Sequence, residues 1–98
     1  MIKNESLNMS SKVNTLKRLI SDADEFIRAD IARSKSTPLN ILNELALDDS
    51  YNVRIEVADN KNSSTQILLN LLLDENPGVR EIAAINLATI SQIGANLK

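Results

Sequence analysis

Residues 53–74 read VRIEVADNKNSSTQILLNLLLD and residues 27–48 read IRADIARSKSTPLNILNELALD, so one pattern returns after 26 positions without a gap. The chain repeats this pattern again, in a degenerate form, from residue 74 onward. Leucines at Leu16 and Leu19 extend it backwards, so residues 11–21 are the second half of an earlier, truncated unit. A fixed period of 20 to 50 residues is typical of proteins whose successive units stack on one another. The sequence therefore predicts a repeat protein of about 3.5 units.

Apolar residues within one unit recur at helical spacing. Residues 51–59 and 63–73 each place aliphatic side chains three and four positions apart, the recurrence of one buried helix face. Two such helices and two short turns account for all 26 positions of a unit and leave no room for strands. Isolated helices this short barely form in water, so stacking must stabilise them. The sequence predicts an all-α fold with two helices per unit.

Polar residues stand where helix caps are expected. The first helices are predicted to begin after Asp24, Ser50 and Asn76, with Pro77 at the first helical position of the last one. The second helices are predicted to be capped by Ser11, Thr37, Ser63 and Thr89. Gln66 and Gln92 follow two of these caps at the spacing of a capping box.

The composition restricts both the core and the chemistry. A chain of 98 residues has room for one core, and the sequence predicts a single repeat domain over residues 11–98, preceded by a tail or irregular cap over residues 1–10. The core must be aliphatic, with close helix packing through Ala32, Ala58 and Ala84. Cysteine and histidine are absent, which removes thiolate metal sites and the commonest general base. No cofactor or metal is expected.

Charged residues recur with the period. Two columns contain Asp22, Asp48 and Asp74, each followed six residues later by Arg28, Arg54 and Arg80. In one interpretation they form a structural ladder, because the planar guanidinium fork of arginine offers several donors to a carboxylate at once. In the other, the arginines form a basic stripe for phosphates or carboxylates. The structural ladder is favoured, because each arginine accompanies its own aspartate.

These motifs resemble the variant leucine-rich repeat and, more broadly, HEAT-like repeats, over about residues 11–93. The resemblance implies a right-handed α–α superhelix, an α-solenoid of short helix pairs, which serves as a scaffold for varied partners. The chain departs from the pattern at Ser64 and Ile90, which replace the proline kept at Pro38, and its third unit lacks the terminal leucines of the second helix. Residues 89–98 are therefore expected to form an atypical capping half-repeat.

The second helix of the middle unit is more apolar than its counterpart. Leu69 and Leu72 stand where the preceding unit has Asn43 and Ala46. A helix that is apolar around much of its circumference is buried on several sides or exposes an interaction patch. Leu69 and Leu72 are therefore candidate partner-binding residues; the alternative is that they pack on residues 1–10 or on the last helix.

The sequence indicates a binding function and contains no set of residues that indicates catalysis. We expect a non-enzyme that binds a protein or peptide partner; the alternative is a self-associating homodimer joined through an apolar end face around Ile90, Ile93 and Leu97. Nucleic acid is disfavoured by the net charge of −2, although Lys35 and Lys61 share a column. No segment reaches the ~20 apolar residues of a membrane span. A cytoplasmic location is the expectation.

Overall fold

A computed structural model describes residues 14–96, and their side chains through residue 92; the predicted tail and the Ser11 cap lie outside this range. The described residues form six helices and no strand. Helix α1 covers residues 14–22. The other five are α2 (Glu25–Arg33), α3 (Leu39–Leu45), α4 (Tyr51–Asp59), α5 (Thr65–Leu71) and α6 (Pro77–Asn96). The fold is an all-α helical repeat, as the 26-residue period predicts.

Helix pairs stack along the chain. The first helices α2, α4 and α6 pack side by side in that order, and α5 also packs against α6. Helices of seven to nine residues gain their stability from this shared apolar burial. The core between them is aliphatic and consists of Ala29, Ala32, Ile41, Leu42, Leu45, Val53, Val57, Ala58, Ile67, Leu68, Leu71, Val79 and Ala83.

The prediction of two helices per unit is wrong for the third unit. Helix α6 runs unbroken for 20 residues from Pro77 to Asn96, so the turn before the predicted Thr89 cap does not form. The corresponding turns of the two preceding units read KST and KNS, whereas residues 87–89 read LAT. Leucine and alanine are strong helix formers, while serine and asparagine favour turns. Ile90 also replaces the proline that precedes α3, so nothing ends the helix.

The caps of the second helices lie one residue later than predicted. Ser64, not Ser63, precedes α5, and its hydroxyl oxygen accepts a hydrogen bond from the Ile67 N–H at 3.1 Å. The buried Ser63 hydroxyl donates to the carbonyl of Val57 at 2.7 Å. Thr37 likewise donates to a last-turn carbonyl of α2, and Pro38 precedes α3. These hydroxyls satisfy helix-end carbonyls, which lack their usual partners four residues on.

The predicted capping boxes are not formed either. Gln66 donates through Nε2 to the Asn70 Oδ1 at 3.2 Å instead of reaching back to a helix start. Thr89 and Gln92 lie inside α6, where the Thr89 hydroxyl donates to the Ile85 carbonyl at 3.0 Å. Gln66 therefore lies in the first turn of α5, one residue too early for a capping box with Ser64, and Gln92 lies in the interior of α6.

The first helices begin where the sequence predicts. Asp24 Oδ1 accepts from the Ile27 N–H at 3.0 Å, and Asn76 Oδ1 accepts from the Gly78 N–H at 2.8 Å. Ser50 also precedes its helix, but its hydroxyl makes no cap hydrogen bond. These caps fix the turns that connect one unit to the next.

The outer face of α6 is open, which corrects the prediction for one alanine. Ala32 and Ala58 are fully buried where first helices meet, but Ala84 is exposed because no described helix covers that side of α6. Ile85, 53% exposed, is the large apolar residue of this face. The remaining exposed residues there are small or polar: Arg80, Glu81, Ala84, Ala88, Ser91 and Gln92. A face of this kind is typical of a helix that caps a repeat stack.

Candidate functional site

The turns of the stack form two edges at opposite ends of the first helices. The inter-repeat edge contains residues 46–50 and 72–76, together with the first turn of each first helix and the residues just before it. The intra-repeat edge contains residues 34–38 and 60–64, which follow α2 and α4. Since a helix of nine residues is about 14 Å long, the two edges are separate surfaces.

Arginine–aspartate pairs connect consecutive units at the inter-repeat edge. The Arg28 Nε and Nη2 donate to the two carboxylate oxygens of Asp48 at 2.8 and 3.1 Å. Arg54 holds Asp74 in the same way and at the same distances. Its Nη1 also donates to the Asp48 carbonyl at 2.6 Å. Each of these arginines therefore binds the aspartate that opens the following unit.

The two ends of the predicted ladder behave differently. The Arg80 Nη1 donates to the Asp74 carbonyl at 2.6 Å, but no carboxylate of the described residues pairs with this guanidinium. Asp22 is exposed at the end of α1 and has no ion pair within residues 14–92. The structure thus brings four of the six ladder residues into ion pairs, joins Arg80 through the backbone and leaves Asp22 apart.

The ion pairs shift the pKa of the two arginines and of Asp74. The hydrogen bond to Asp48 raises the pKa of Arg28, and the hydrogen bond to Asp74 raises the pKa of Arg54. Burial alone would raise the pKa of Asp74, but the hydrogen bonds from Arg54 and from the Asn76 N–H outweigh it and lower that pKa. Because both guanidinium forks are occupied, these arginines act in stacking rather than as a stripe for an external anion.

Two buried asparagines, which the sequence interpretation did not single out, connect the units at the intra-repeat edge. Asn60 is 5% exposed and donates through Nδ2 to the carbonyls of Ala32 and Ser34 at 2.7 and 3.0 Å. Asn86 is 1% exposed and donates to Ala58 and Asn60 at 2.9 and 3.1 Å. The available signal was their spacing of one repeat in the column of Ser34.

Basic residues at the intra-repeat edge are few and partly neutralised. Lys35 and Lys61 are exposed in the turns. Nearby, Arg33 pairs with Asp30 at 2.6 Å and with Glu56 at 3.1 Å. This edge therefore has mixed charge.

The two candidate leucines of α5 have different environments. Leu72 is half-buried and packs against the core, whereas Leu69 is 46% exposed. Two leucines that the sequence interpretation missed are far more exposed: Leu47 at 84% and Leu73 at 86%. Leu47 and Leu73 both line one shallow groove, to which Leu69 does not contribute. The equal position of Leu47 and Leu73 in consecutive units was the signal available in the sequence.

The inter-repeat edge contains two shallow depressions, one of which is lined by Leu47 and Leu73. The leucine groove, of about 490 Å³, is lined by Ala46, Leu47, Asp48, Asp49, Arg54, Leu73, Asp74 and Glu75. The aromatic depression, of about 560 Å³, is lined by Asp24, Glu25, Phe26, Arg28, Asp49, Ser50, Tyr51 and Asn52. Asp49 lines both, so the depressions are neighbours on the inter-repeat edge.

Neither a metal cluster nor a membrane span is present in the part of the chain that the structure describes. No group of three or more carboxylate side chains among those residues could hold a metal ion. None of the described helices combines the length and the apolar character that crossing a bilayer requires.

Comparison with known proteins gives one match. Residues 65–94, which include α5 and most of α6, match the family model of the HEAT repeat. Neither the curated proteins nor the solved structures yielded a match. HEAT repeats generally act as scaffolds for protein–protein interaction. The match supports the HEAT-like part of the resemblance, while the variant leucine-rich part stays a prediction. The chain is thus an all-α protein with a HEAT-like helical-repeat fold.

Proposed function

We propose that the protein is a non-catalytic module that holds a protein or peptide partner on its inter-repeat edge. The observation that carries this proposal is the exposure of Leu47 and Leu73, at 84% and 86%, at the same position of consecutive units. Apolar side chains gathered on a surface mark interaction sites in soluble proteins. The HEAT repeat match supports the proposal, because such repeats generally serve as protein scaffolds.

The geometry of the stack suits an extended contact. Packed helices lie 8–10 Å apart, so equivalent leucines of neighbouring units offer two apolar contacts about 10 Å from each other. Leu69, 46% exposed, is a further apolar side chain on the surface of α5. Exposed carboxylates of Asp49 and Glu75 border the leucines. An apolar centre with a polar rim is the usual composition of a protein interface.

The carboxylates of this edge support a non-catalytic role. Asp48 accepts hydrogen bonds from Arg28 and from the Ser50 N–H, the latter at 2.9 Å. Asp74 accepts from Arg54 and from the Asn76 N–H, also at 2.9 Å. These bonds lower the pKa of Asp74, which makes it a poor proton donor. These acids therefore act as structural groups.

Affinity capture from an extract of the source cell tests the proposal. The variant Leu47→Ser with Leu73→Ser is compared with the wild type and with a control, Leu39→Ser with Ile85→Ser. The control removes two apolar side chains, 50% and 53% exposed, from other surfaces. We expect a partner that the wild type and the control retain and the leucine variant loses. Equal recovery by all three proteins, or recovery of the chain itself alone, would contradict the proposal.

A further inference from the structure

The inter-repeat edge contains both aromatic residues of the chain. Phe26 and Tyr51 are the single phenylalanine and tyrosine, and tryptophan is absent. They are 74% and 49% exposed, and both line the aromatic depression. The face of an aromatic ring attracts a lysine or arginine cation that lies within about 6 Å of the ring centroid. Two exposed rings in one depression therefore favour a cationic side chain as the occupant.

Carboxylates outnumber cations on this edge. Asp48 and Asp74 are neutralised by Arg28 and Arg54. Four other carboxylates line the two depressions, those of Asp24, Glu25, Asp49 and Glu75. Against them stands the Arg80 guanidinium, which has no carboxylate partner among the described residues.

This excess has consequences for the partner. The Glu75 side chain is 91% exposed, and its nearest guanidinium nitrogen, of Arg54, lies at 3.8 Å. Asp24 and Glu25 accept hydrogen bonds from the chain's own N–H and O–H groups, which do not cancel their charge. The surface is therefore negative, and complementary charge on a partner would guide its association and fix its register.

The acidic and apolar features are continuous. Asp49 lines the aromatic depression and the leucine groove, so one bound segment can occupy both. A purely electrostatic surface would have no use for Leu47 and Leu73, which contribute little to the core. A purely apolar patch would not need the four additional carboxylates. Their combination specifies the chemistry of the occupant.

On the basis of the proposed function, we infer that the partner presents a basic segment in which a lysine or arginine side chain enters the aromatic depression and a neighbouring apolar side chain enters the leucine groove. Phe26 and Tyr51 contact the cation, Asp49 bridges the two positions, and Leu47 and Leu73 hold the apolar side chain. Nucleic acid does not fit this edge, because the carboxylates repel phosphate.

A selection from a phage-displayed library of random 12-residue peptides on the immobilised full chain tests this inference. We expect enrichment of peptides with lysine or arginine next to leucine, isoleucine, valine or an aromatic residue. Their binding should weaken at least tenfold in Asp49→Lys with Glu75→Lys, and less in the milder Asp49→Asn with Glu75→Gln. The control Asp59→Lys with Glu81→Lys makes the same change in net charge at exposed positions elsewhere and should bind normally.

Each other outcome overturns the inference in a recognisable way. Acidic or neutral peptides that still require Leu47 and Leu73 would remove the basic partner but leave the proposed function standing. Basic peptides that the Asp59→Lys, Glu81→Lys control also fails to bind would likewise remove the basic partner and leave the proposed function standing. So would a selection that enriches no peptide while partner capture still depends on Leu47 and Leu73. Concentration-dependent mass that the Asp49→Lys, Glu75→Lys variant abolishes would assign the edge to a second copy of the chain.

Discussion

The intra-repeat and inter-repeat edges belong to the same stack, yet their side chains are used differently. At the intra-repeat edge the buried Asn60 donates to a helix carbonyl of the preceding unit and holds the two units together, while the buried Ser63 donates to the end of its own first helix. At the inter-repeat edge Arg54 and Asp74 also hold two units together, but Leu47 and Leu73 project beyond what stacking requires. The comparison teaches that both edges stabilise the fold, while one also exposes apolar and acidic groups that can serve binding.

The largest effect is expected in the core that supports both edges. Leu71→Ala removes a side chain that is 3% exposed and leaves a cavity between α5 and its neighbours. We expect the free energy of unfolding to fall by ~2 to 5 kcal/mol in chemical denaturation. A loss of only a few tenths would mean that the burial of this helix face is misassigned.

The arginine–aspartate pair should be the next most sensitive element. Arg54→Ala leaves the Asp74 carboxylate, which is 8% exposed, without its charged partner. We expect a loss of ~2 to 3 kcal/mol in the free energy of unfolding, the cost of an unpaired group close to the surface. Arg80→Ala, which breaks no ion pair among the described residues, is the matched control and should cost well under half as much. Equal losses would contradict the ladder.

The intra-repeat edge should respond to loss of its amide. Asn60→Ala removes the donor to the Ala32 and Ser34 carbonyls, and the carbonyl of the buried Ala32 loses this partner. We expect a loss of ~1 to 3 kcal/mol in chemical denaturation, with partner binding unchanged once the protein is folded. Lys35→Ala, at an exposed position of the same edge, provides the comparison. Loss of binding by folded Asn60→Ala would show that the two edges are not separable.

Acid should weaken the inter-repeat edge through Asp74. Its pKa in the folded protein is lowered from 3.8, so its contribution to stability is complete above the unfolded pKa and disappears as the pH falls through the lower folded value. The wild type should therefore lose stability below about pH 4, and Asp74→Asn should lose less over the same range. Denaturation curves between pH 2 and 6, at about half-unit intervals, measure this difference. Parallel slopes in both proteins would argue against the shift.

The smallest effect on stability is expected for the two exposed leucines, whose replacement should have the largest effect on binding. Leu47→Ser and Leu73→Ser change side chains that are almost fully exposed, so the free energy of unfolding should change by no more than about 0.5 kcal/mol. Thermal or chemical unfolding of the purified variants checks this. A loss above about 1 kcal/mol would reassign these leucines to packing and remove the main difference between the edges.

The sequence predicts the stacking of the helices well but the positions of turns and helix ends less well. Helix α4 begins and ends where the apolar spacing places it, because the period and Val53, Val57 and Ala58 all specify the same buried face. The absence of a turn before Thr89 could not be predicted by analogy with the earlier units, which both have a turn at this position. Residues 87–88 favour a helix instead. Aligning the repeats on one another does not take account of such local helix propensities.

The candidate site was only partly accessible from the sequence. Leu69 and Leu72 are the same residue type in the same helical segment, so the sequence does not distinguish them. Only the packing shows that Leu69 is exposed and Leu72 is half-buried. Leu47 and Leu73 follow the ends of α3 and α5, where helical spacing no longer tells which way a side chain faces. Phe26 lies close to the residues that follow α3 because of the way consecutive units stack. The sequence of a single unit does not specify this stacking.

An NMR titration of the isotope-labelled chain with the most enriched library peptide tests most directly whether the inter-repeat edge is the binding surface. Amide shift changes concentrated in residues 46–51 and 72–76, with residues 34–37 and 60–63 unmoved, are the predicted result. Changes concentrated in the intra-repeat edge, or spread evenly over both, would contradict it.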